Sequence, residues 1–299
     1  MTPGSQLLRA ALSGTSLDHA LDRFAPELDQ YAELIVGPAE KKANENGVMG
    51  FMTRGEGPEF TARVQQTLAE LDLPPEARAH HAALAEWFDH KRAFFKIEQH
   101  PDGPLAACYF RRRPTVDEVL LRLLRQKVAP VVRNRVMEVA ARLAKGTVHF
   151  VSAAFRPDQP VHQKLYFSQW VTPATAAQVT SRIASVFDLY GLGEAQAGWR
   201  ARHATTLPAG ESTLFLSLSF TADTLSPSFK IDYPAVGAVR AAAWLAPKDQ
   251  DAVVQAIEHA RPQVNAPNTT FLGVRFHPGR FEPTLKYYFD TPRPGSEGR

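Results

Sequence analysis

The residues best suited to chemistry in this sequence are lysines and tyrosines that recur together on short alternating segments. A lysine ammonium group binds phosphate or carboxylate anions, and an aromatic ring offers a π face to a cation. Arg275 lies in a similar segment, on the face opposite Val274 and Phe276. The recurring residues are Lys164 with Tyr166, Lys230, and Lys286 with Tyr288. This pattern favours a binding site for an anionic ligand that also has an apolar part.

Each of these segments follows another alternating run across a short turn, as in a β-hairpin. Side chains two residues apart share one face of a strand. In the first copy, Leu165 and Phe167 share an apolar face, whereas Lys164 and Tyr166 share the other face. The three hairpins are predicted over residues 148–170, 214–233 and 271–289. They recur with a period of about 55–65 residues, which indicates an internal repeat.

Helical segments between the hairpins bear on which face of the strands meets water. Residues 174–189 and 249–260 place apolar residues at helical spacing and need a surface to cover. If they cover the apolar face of a closed sheet, the lysine and tyrosine faces point into its interior, and a large barrel can hold a chamber there. The predicted fold class is therefore α+β, with repeated ββα units that form a large antiparallel β-barrel surrounded by helices.

Repeated ββα units with Lys-x-Tyr on the second strand resemble the aromatic prenyltransferases of the ABBA, or PT-barrel, family. The resemblance covers about two thirds of the chain, from residue 91 to residue 290. It implies that a prenyl group, most simply dimethylallyl, moves from its diphosphate to an aromatic acceptor such as an indole, a phenol or a peptide side chain. It also implies that no metal or other cofactor is required, and that the partners are a prenyl diphosphate and the acceptor.

Prenyl transfer needs cations for the leaving diphosphate, aromatic walls around the carbocation, and a group that takes the acceptor's proton. By resemblance, the lysines bind the diphosphate and the tyrosines shield the carbocation, and Arg275 adds a further inward charge. Asp232 stands where the pattern expects a tyrosine, which is a departure from the family on that strand. The predicted diphosphate-binding residues are Arg111, Lys164, Lys230, Arg275 and Lys286, and the predicted shield is Tyr109, Tyr166 and Tyr288.

A fourth, less regular hairpin is predicted over residues 91–113. Its second strand carries Tyr109 but no lysine two residues earlier, and Arg111 on the same face would supply the missing charge. Glu98 on its first strand is the predicted catalytic residue, because members of the family often place an acidic residue there, near the acceptor. The alternative for Glu98 is a rim glutamate paired with Lys96 or Arg111.

The remaining segments complete one predicted domain over residues 1–290, followed by a disordered tail at residues 291–299. Its first part, residues 1–90, is predicted mainly helical, and residues 91–290 form the ββα repeats. A possible strand at residues 48–54 would provide the fifth hairpin that the family barrel usually has. Helices are predicted over residues 5–36, 60–71, 76–90 and 115–145, the last one broken near Pro130, with loops at residues 41–47 and 191–210.

Composition argues against several other classes of protein. The 299 residues are 44% hydrophobic and 22% charged, and a formal net charge of +3 does not suggest a partner nucleic acid. No apolar run approaches the ~20 residues of a membrane span, and a single cysteine, Cys108, precludes an internal disulfide. We expect a cytoplasmic protein that binds neither nucleic acid nor membrane. Aspartate-rich magnesium motifs, phosphate-binding glycine loops and zinc-type spacings do not occur.

Two alternatives stay open at the level of sequence. A non-catalytic barrel would use the same lysines to bind an amphipathic anionic ligand. An α+β sandwich would instead expose the polar faces of the hairpins to water, and closure of the barrel distinguishes the two architectures.

Overall fold

The computed structural model describes residues 6, 8, 9, 12, 17–36, 49–100, 103–157, 159–207, 210–236, 238–244, 269–279 and 284–290. Its strands are β1 (Ala32–Val36), β2 (Met49–Gly55), β3 (Ala93–His100), β4 (Gly103–Phe110), β5 (Phe150–Phe155), β6 (His162–Val171), β7 (Ser212–Phe220), β8 (Leu225–Val236), β9 (Thr269–Phe276) and β10 (Thr284–Asp290). They form one closed antiparallel barrel in the order β1-β10-β9-β8-β7-β6-β5-β4-β3-β2. This is the predicted fold class, and closure excludes the open sandwich.

Consecutive strands pair as five hairpins that lie side by side around the barrel. The three lysine-bearing hairpins and the irregular fourth one are confirmed. The strand predicted at residues 48–54 is also confirmed, as β2, and its hairpin partner is β1, in which Ala32 pairs with Thr53. The barrel closes where Glu33 of β1 pairs with Asp290 of β10.

The helix predicted over residues 5–36 is therefore wrong at its end, because Ala32–Val36 is a strand. The outward side chain Leu34 is 3% exposed and pairs with Phe51 of β2, which is fully buried. A strand of five residues is too short to display a period that differs clearly from that of the preceding helices. Pairing with β2 and β10 determines its extended conformation, and these partners cannot be identified from the sequence of residues 32–36 alone.

Helices cover the outside of the barrel. In the described part of the chain they are α1 (Asp18–Arg23), α2 (Ala25–Leu28), α3 (Gly57–Glu70), α4 (Pro75–Trp87), α5 (Val116–Arg125), α6 (Pro130–Arg142), α7 (Ala176–Leu189), α8 (Gly193–Thr206) and α9 (Ala238–Ala242). α5 begins with a capping box in which the Thr115 hydroxyl accepts from the Glu118 amide and the Glu118 carboxylate accepts from the Thr115 amide. The predicted break near Pro130 is confirmed, since Pro130 begins α6.

The main core lies between the apolar face of the barrel and these helices. The Phe187 ring of α7 lies 4.8 Å from Phe229 of β8 and 4.8 Å from Phe276 of β9. Trp199 of α8 donates its indole N–H to the Tyr233 hydroxyl at 2.8 Å. Each such buried aromatic side chain stabilises the fold by roughly 1.5–3 kcal/mol. Because this face is covered by helices, the other face of the strands meets the barrel interior.

The irregular link predicted over residues 191–210 is wrong, because α8 occupies most of it. α8 contains two glycines and has little apolar periodicity in its sequence. Tertiary contacts stabilise it instead: Trp199 and His203 are buried, and His203 Nδ1 lies 2.9 Å from the Tyr233 hydroxyl. The helix predicted at residues 249–260, the loop at 41–47 and the tail at 291–299 lie outside the described residues.

Candidate active site

Strand register places one continuous set of polar and aromatic side chains inside the barrel. Ser152 pairs with Lys164, and Ser217 pairs with Lys230, so each pair shares a face. Following such pairs around the barrel brings most of the predicted site residues to its interior. This inner set includes Glu33, Lys96, Glu98, Tyr109, Ser152, Lys164, Tyr166, Lys230, Asp232, Arg275, Lys286 and Tyr288.

Five cationic side chains of the inner set influence one another, and we call them the cation cluster. They are Lys96, Lys164, Lys230, Arg275 and Lys286. Burial, followed by the positive charges of the other four, holds the pKa of Lys164 well below that of an ordinary lysine. Burial also lowers the pKa of Lys286, to about 8. The barrel therefore concentrates positive charge at a cost in desolvation, as an anion-binding site requires.

Glu98 lies within this cluster and is fully buried. Lys286 Nζ lies 2.8 Å from both carboxylate oxygens, and Lys96 Nζ lies 3.0 Å from Oε1. His100 Nε2 lies 3.1 Å from Oε2. Burial alone would raise the pKa of Glu98, but the charges of Lys286 and Lys96 outweigh it and hold that pKa well below the ordinary value. Such a carboxylate is a weak base.

Ser152 and Lys164 are inward polar residues whose side chains take part in none of the described hydrogen bonds or ion pairs. The Ser152 hydroxyl is buried without a partner, and none of the described hydrogen bonds or ion pairs involves the Lys164 ammonium group. The two residues are cross-strand neighbours, and Tyr109 pairs with Ser152 on its other side. Buried polar groups are nearly always satisfied, so the Ser152 hydroxyl, with the Lys164 ammonium group on the neighbouring strand, indicates where a ligand oxygen would be bound.

Lys230 and Asp232 form a close ion pair with an Nζ–Oδ1 distance of 2.6 Å. Gly273 on the neighbouring strand faces the pair, and a Cβ at that position would lie 2.9 Å from Asp232 Oδ1 and 3.2 Å from Lys230 Nζ. The absence of a side chain at residue 273 therefore provides the space that this ion pair occupies. Asp232, which replaces the tyrosine of the repeat, anchors Lys230.

Arg111 lines the same cavity as Lys230, but it is not among the cations whose charge lowers the pKa of Lys164. Its side chain is exposed, and its guanidinium carbon lies 6.0 Å from the centre of the Phe150 ring. Lys96, which the sequence interpretation did not select, supplies the cation that the fourth hairpin lacks. It pairs directly with Ala107, where the repeat would place a lysine. That Lys96 takes the place of the missing lysine is visible only from the pairing of β3 with β4.

The three predicted shield tyrosines line a cavity that meets the cation cluster at Lys230. The rings of Tyr109 and Tyr166 are 5.8 Å apart. Lys96 Nζ lies 5.9 Å from the Tyr109 ring centre, and Lys230 Nζ lies 5.5 Å from that of Tyr288. Burial raises the pKa of all three hydroxyls, so they stay neutral and can donate hydrogen bonds.

The cavity has a volume of about 470 Å³ and is mostly aromatic. Phe150 lies 6.0 Å from Phe94 and 5.7 Å from Phe215, measured between ring centres. Glu33 and Asp232 supply its carboxylates, and the Tyr31 hydroxyl donates to the Glu33 carboxylate. The size and the apolar walls suit a flat aromatic molecule. Glu33 was missed in the sequence because its segment was interpreted as helical.

One end of the cavity is lined by exposed side chains. Trp170 is 53% exposed and lines this end together with Arg111 and Arg113. His149 lies beneath them, and burial followed by the charges of Arg111 and Arg113 lowers its pKa to about 4. The ring therefore stays neutral at physiological pH. We regard this end as the entrance to the cavity.

The residues that the structure describes contain neither a metal-binding cluster nor a membrane-spanning helix. No group of three or more His, Cys, Asp or Glu side chains among them is arranged to hold a metal ion. None of their helices has both the length and the apolar character needed to cross a membrane.

Comparison with known proteins gives similarity in structure but not in sequence. No family model and no curated protein matches the chain. A 6-dimethylallyl tryptophan synthase superposes with a TM-score of 0.64 at 13% identity, covering 96% of this chain and 94% of its own. The 5-dimethylallyltryptophan synthase of Streptomyces coelicolor gives 0.57 at 13%, covering 96% and 95%. The prenyltransferase PriB, in complex with L-tryptophan and dimethylallyl thiolodiphosphate, gives 0.57 at 13%, covering 97% of both chains. The chain has the barrel fold of these prenyltransferases.

Proposed function

We propose that this protein transfers a prenyl group, most simply dimethylallyl, from its diphosphate to an aromatic acceptor without a metal ion. The observation that supports this most is the cation cluster, which borders an aromatic cavity at Lys230, beside three buried tyrosines. The structural neighbours support it as well: PriB binds L-tryptophan with a thiolodiphosphate analogue, and NotF binds brevianamide F with such an analogue.

In this proposal the diphosphate lies on the cation cluster. Lys164 and the Ser152 hydroxyl, which take part in none of the described hydrogen bonds or ion pairs, donate hydrogen bonds to its oxygens. Ionisation breaks the bond between the allylic carbon and the oxygen, and the electron pair leaves with the diphosphate. Fixed cations stabilise this developing negative charge more than they stabilise the intact substrate, which accelerates the step. They supply the positive charge that magnesium provides in metal-dependent enzymes.

Tyr109, Tyr166 and Tyr288 then surround the allylic cation. Their rings exclude water and offer π faces, which stabilise a nearby cation by about 0.5–2 kcal/mol each. Exclusion of water prevents hydrolysis to the alcohol. The acceptor ring attacks the allylic carbon from the cavity side, and the new bond forms between the three tyrosines, which line that cavity.

In this proposal the aromatic acceptor binds beside Glu33 rather than beside Glu98. Glu33 lines the cavity, whereas Glu98 is not among the residues that line it and is held by Lys96 and Lys286. The Glu33 carboxylate accepts a hydrogen bond from an N–H or O–H of the acceptor and thereby orients its ring. Transfer of the ring proton to the Glu33 carboxylate restores aromaticity after the bond has formed. Such an enzyme acts in the cytoplasm, where Cys108, the chain's one cysteine, stays reduced.

The test combines binding with turnover. Calorimetry with dimethylallyl thiolodiphosphate is expected to give a Kd that EDTA does not change. Incubation with dimethylallyl diphosphate and L-tryptophan, or a panel of indoles, phenols and aromatic peptides, is expected to give prenylated product. Binding of the analogue without any product or pyrophosphate release would favour the ligand-binding barrel instead. Absence of binding would contradict both interpretations.

A further inference from the structure

The Glu98 carboxylate is an anion that lies between two cations of the cluster, Lys96 and Lys286. Lys286 and Lys96 direct their ammonium groups at Glu98, at 2.8 and 3.0 Å, although the interior also faces an open cavity. Gly50 lies opposite Glu98, and a Cβ at residue 50 would lie 2.8 Å from Glu98 Cα and 2.9 Å from its Cγ. The backbone of β2 thus makes room for this carboxylate. The barrel interior therefore holds one carboxylate in direct contact with two ammonium groups.

A buried anion at this position has two opposite consequences. It compensates the buried charges of Lys96 and Lys286, and burial lowers the pKa of Lys286 even with this carboxylate present. It also occupies their N–H donors and repels any other anion that approaches them. Repulsion of a bound anion is a disadvantage for a protein that only has to bind diphosphate tightly. It is an advantage for an enzyme that must release pyrophosphate after every cycle.

We propose that Glu98 is a resident counter-anion, which weakens pyrophosphate binding to the cation cluster and so speeds product release. When a diphosphate binds, Lys96 and Lys286 exchange the Glu98 oxygens for diphosphate oxygens. When pyrophosphate leaves, Glu98 takes those hydrogen bonds back. The role in turnover rests on the proposed prenyl transfer, but the effect on pyrophosphate binding is measured without it.

The first test is calorimetry of inorganic pyrophosphate binding to the full-length protein. Glu98→Gln keeps the shape of the side chain and removes its charge, so the Kd is expected to fall by about tenfold or more. Glu70→Gln removes the same charge from the exposed ion pair with Arg23 and is expected to leave the Kd unchanged. A residue that merely positions the lysines gives the opposite sign, because its loss would loosen the cluster. An unchanged or higher Kd for Glu98→Gln therefore overturns the proposal.

A second comparison holds even if Glu98→Gln alone fails to fold. Lys96→Gln is expected to raise the pyrophosphate Kd by about tenfold, and adding Glu98→Gln to it restores the Kd to within about threefold of wild type. The double variant replaces an ion pair by two amides, a change that buried sites often tolerate. Failure of the second substitution to rescue the first contradicts a counter-anion.

Turnover separates this inference from the function on which it builds. With an active acceptor, Glu98→Gln is expected to lower both kcat and the KM for dimethylallyl diphosphate, because slow release limits the cycle. If no acceptor is prenylated but the pyrophosphate Kd shifts as expected, the proposed function fails and the counter-anion stands. If product forms and the Kd does not shift, the counter-anion fails alone.

Discussion

Gly273 offers a direct test of the inner site, because a methyl group at that position would push on charged atoms only. In Gly273→Ala the new Cβ would lie 2.9 Å from Asp232 Oδ1 and 3.2 Å from Lys230 Nζ. Carbon atoms pack best at about 3.5 Å or more, so the carboxylate oxygen must retreat by about 0.6 Å and the ammonium group by about 0.3 Å. Both atoms are the ends of flexible side chains and can move without displacing the backbone.

These displacements should cost more activity than stability. Overpacking of about one methyl group lowers the free energy of unfolding by roughly 1–3 kcal/mol, and mobile neighbours place this site at the lower end. A misplacement approaching 1 Å at reacting groups can cost about a hundredfold in rate. We therefore expect the kcat/KM for dimethylallyl diphosphate to fall by about ten- to a hundredfold, which is about 1.4–2.7 kcal/mol of transition-state stabilisation.

The assay is steady-state pyrophosphate release, with Tm measured on the same preparations. Gly146→Ala is the matched control, because a Cβ at residue 146 has no other atom within 4 Å, and its kcat/KM should stay at the wild-type value. A folded Gly273→Ala enzyme with wild-type kcat/KM would refute the reasoning, since the ion pair would then be irrelevant to catalysis. A large fall in Tm in parallel with the lost activity would also refute it, because the effect would be structural.

Further predictions concern the backbone, the cluster and pH. A Cβ at Gly50 would lie 2.2 Å from the Ile97 carbonyl oxygen, so Gly50→Ala should lower the free energy of unfolding by about 1–3 kcal/mol, and an unchanged Tm would contradict the β2–β3 register. Lys164→Met should raise the pyrophosphate Kd by about tenfold in calorimetry without lowering Tm, since it removes a buried cation. Pyrophosphate binding should weaken above pH 8, where Lys286 loses its proton, and Lys286→Arg should make that dependence weaker. Because the unfolded chain keeps this proton up to about pH 10.4, Lys286 should make the free energy of unfolding rise with pH between about 8 and 10, as chemical denaturation would show.

The barrel itself could be predicted from sequence because its signal is local and repeated. In residues 163–167 the alternation of Leu165 and Phe167 with Lys164 and Tyr166 is visible within a single strand, and three copies reinforce it. The same alternation placed the lysines and tyrosines on one face, which the register confirms. What one strand presents to the interior is thus encoded in that strand.

What neighbouring strands present together could not be predicted in the same way. Lys96 takes the place of a lysine at Ala107 only because β3 and β4 pair in one particular register. Glu33 faces the cavity because the short strand β1 pairs with β2 and β10. Glu98 was selected because the family often places an acidic residue there, and its pairing with Lys96 was the stated alternative, but its contact with Lys286 of β10 was not predicted. In each case the contact that was not predicted joins two different strands.

Closure of the barrel between β1 and β10 has a consequence for biosynthesis. Glu33 is among the first barrel residues to leave the ribosome, and its partner Asp290 is among the last. Until β10 emerges, the growing sheet has two open edges whose unpaired N–H and C=O groups can pair with any other exposed strand. Such late, non-local pairing is slow and prone to aggregation. Soluble yield on overexpression should therefore depend on how quickly the C-terminal hairpin docks, and chains truncated before β9 should aggregate.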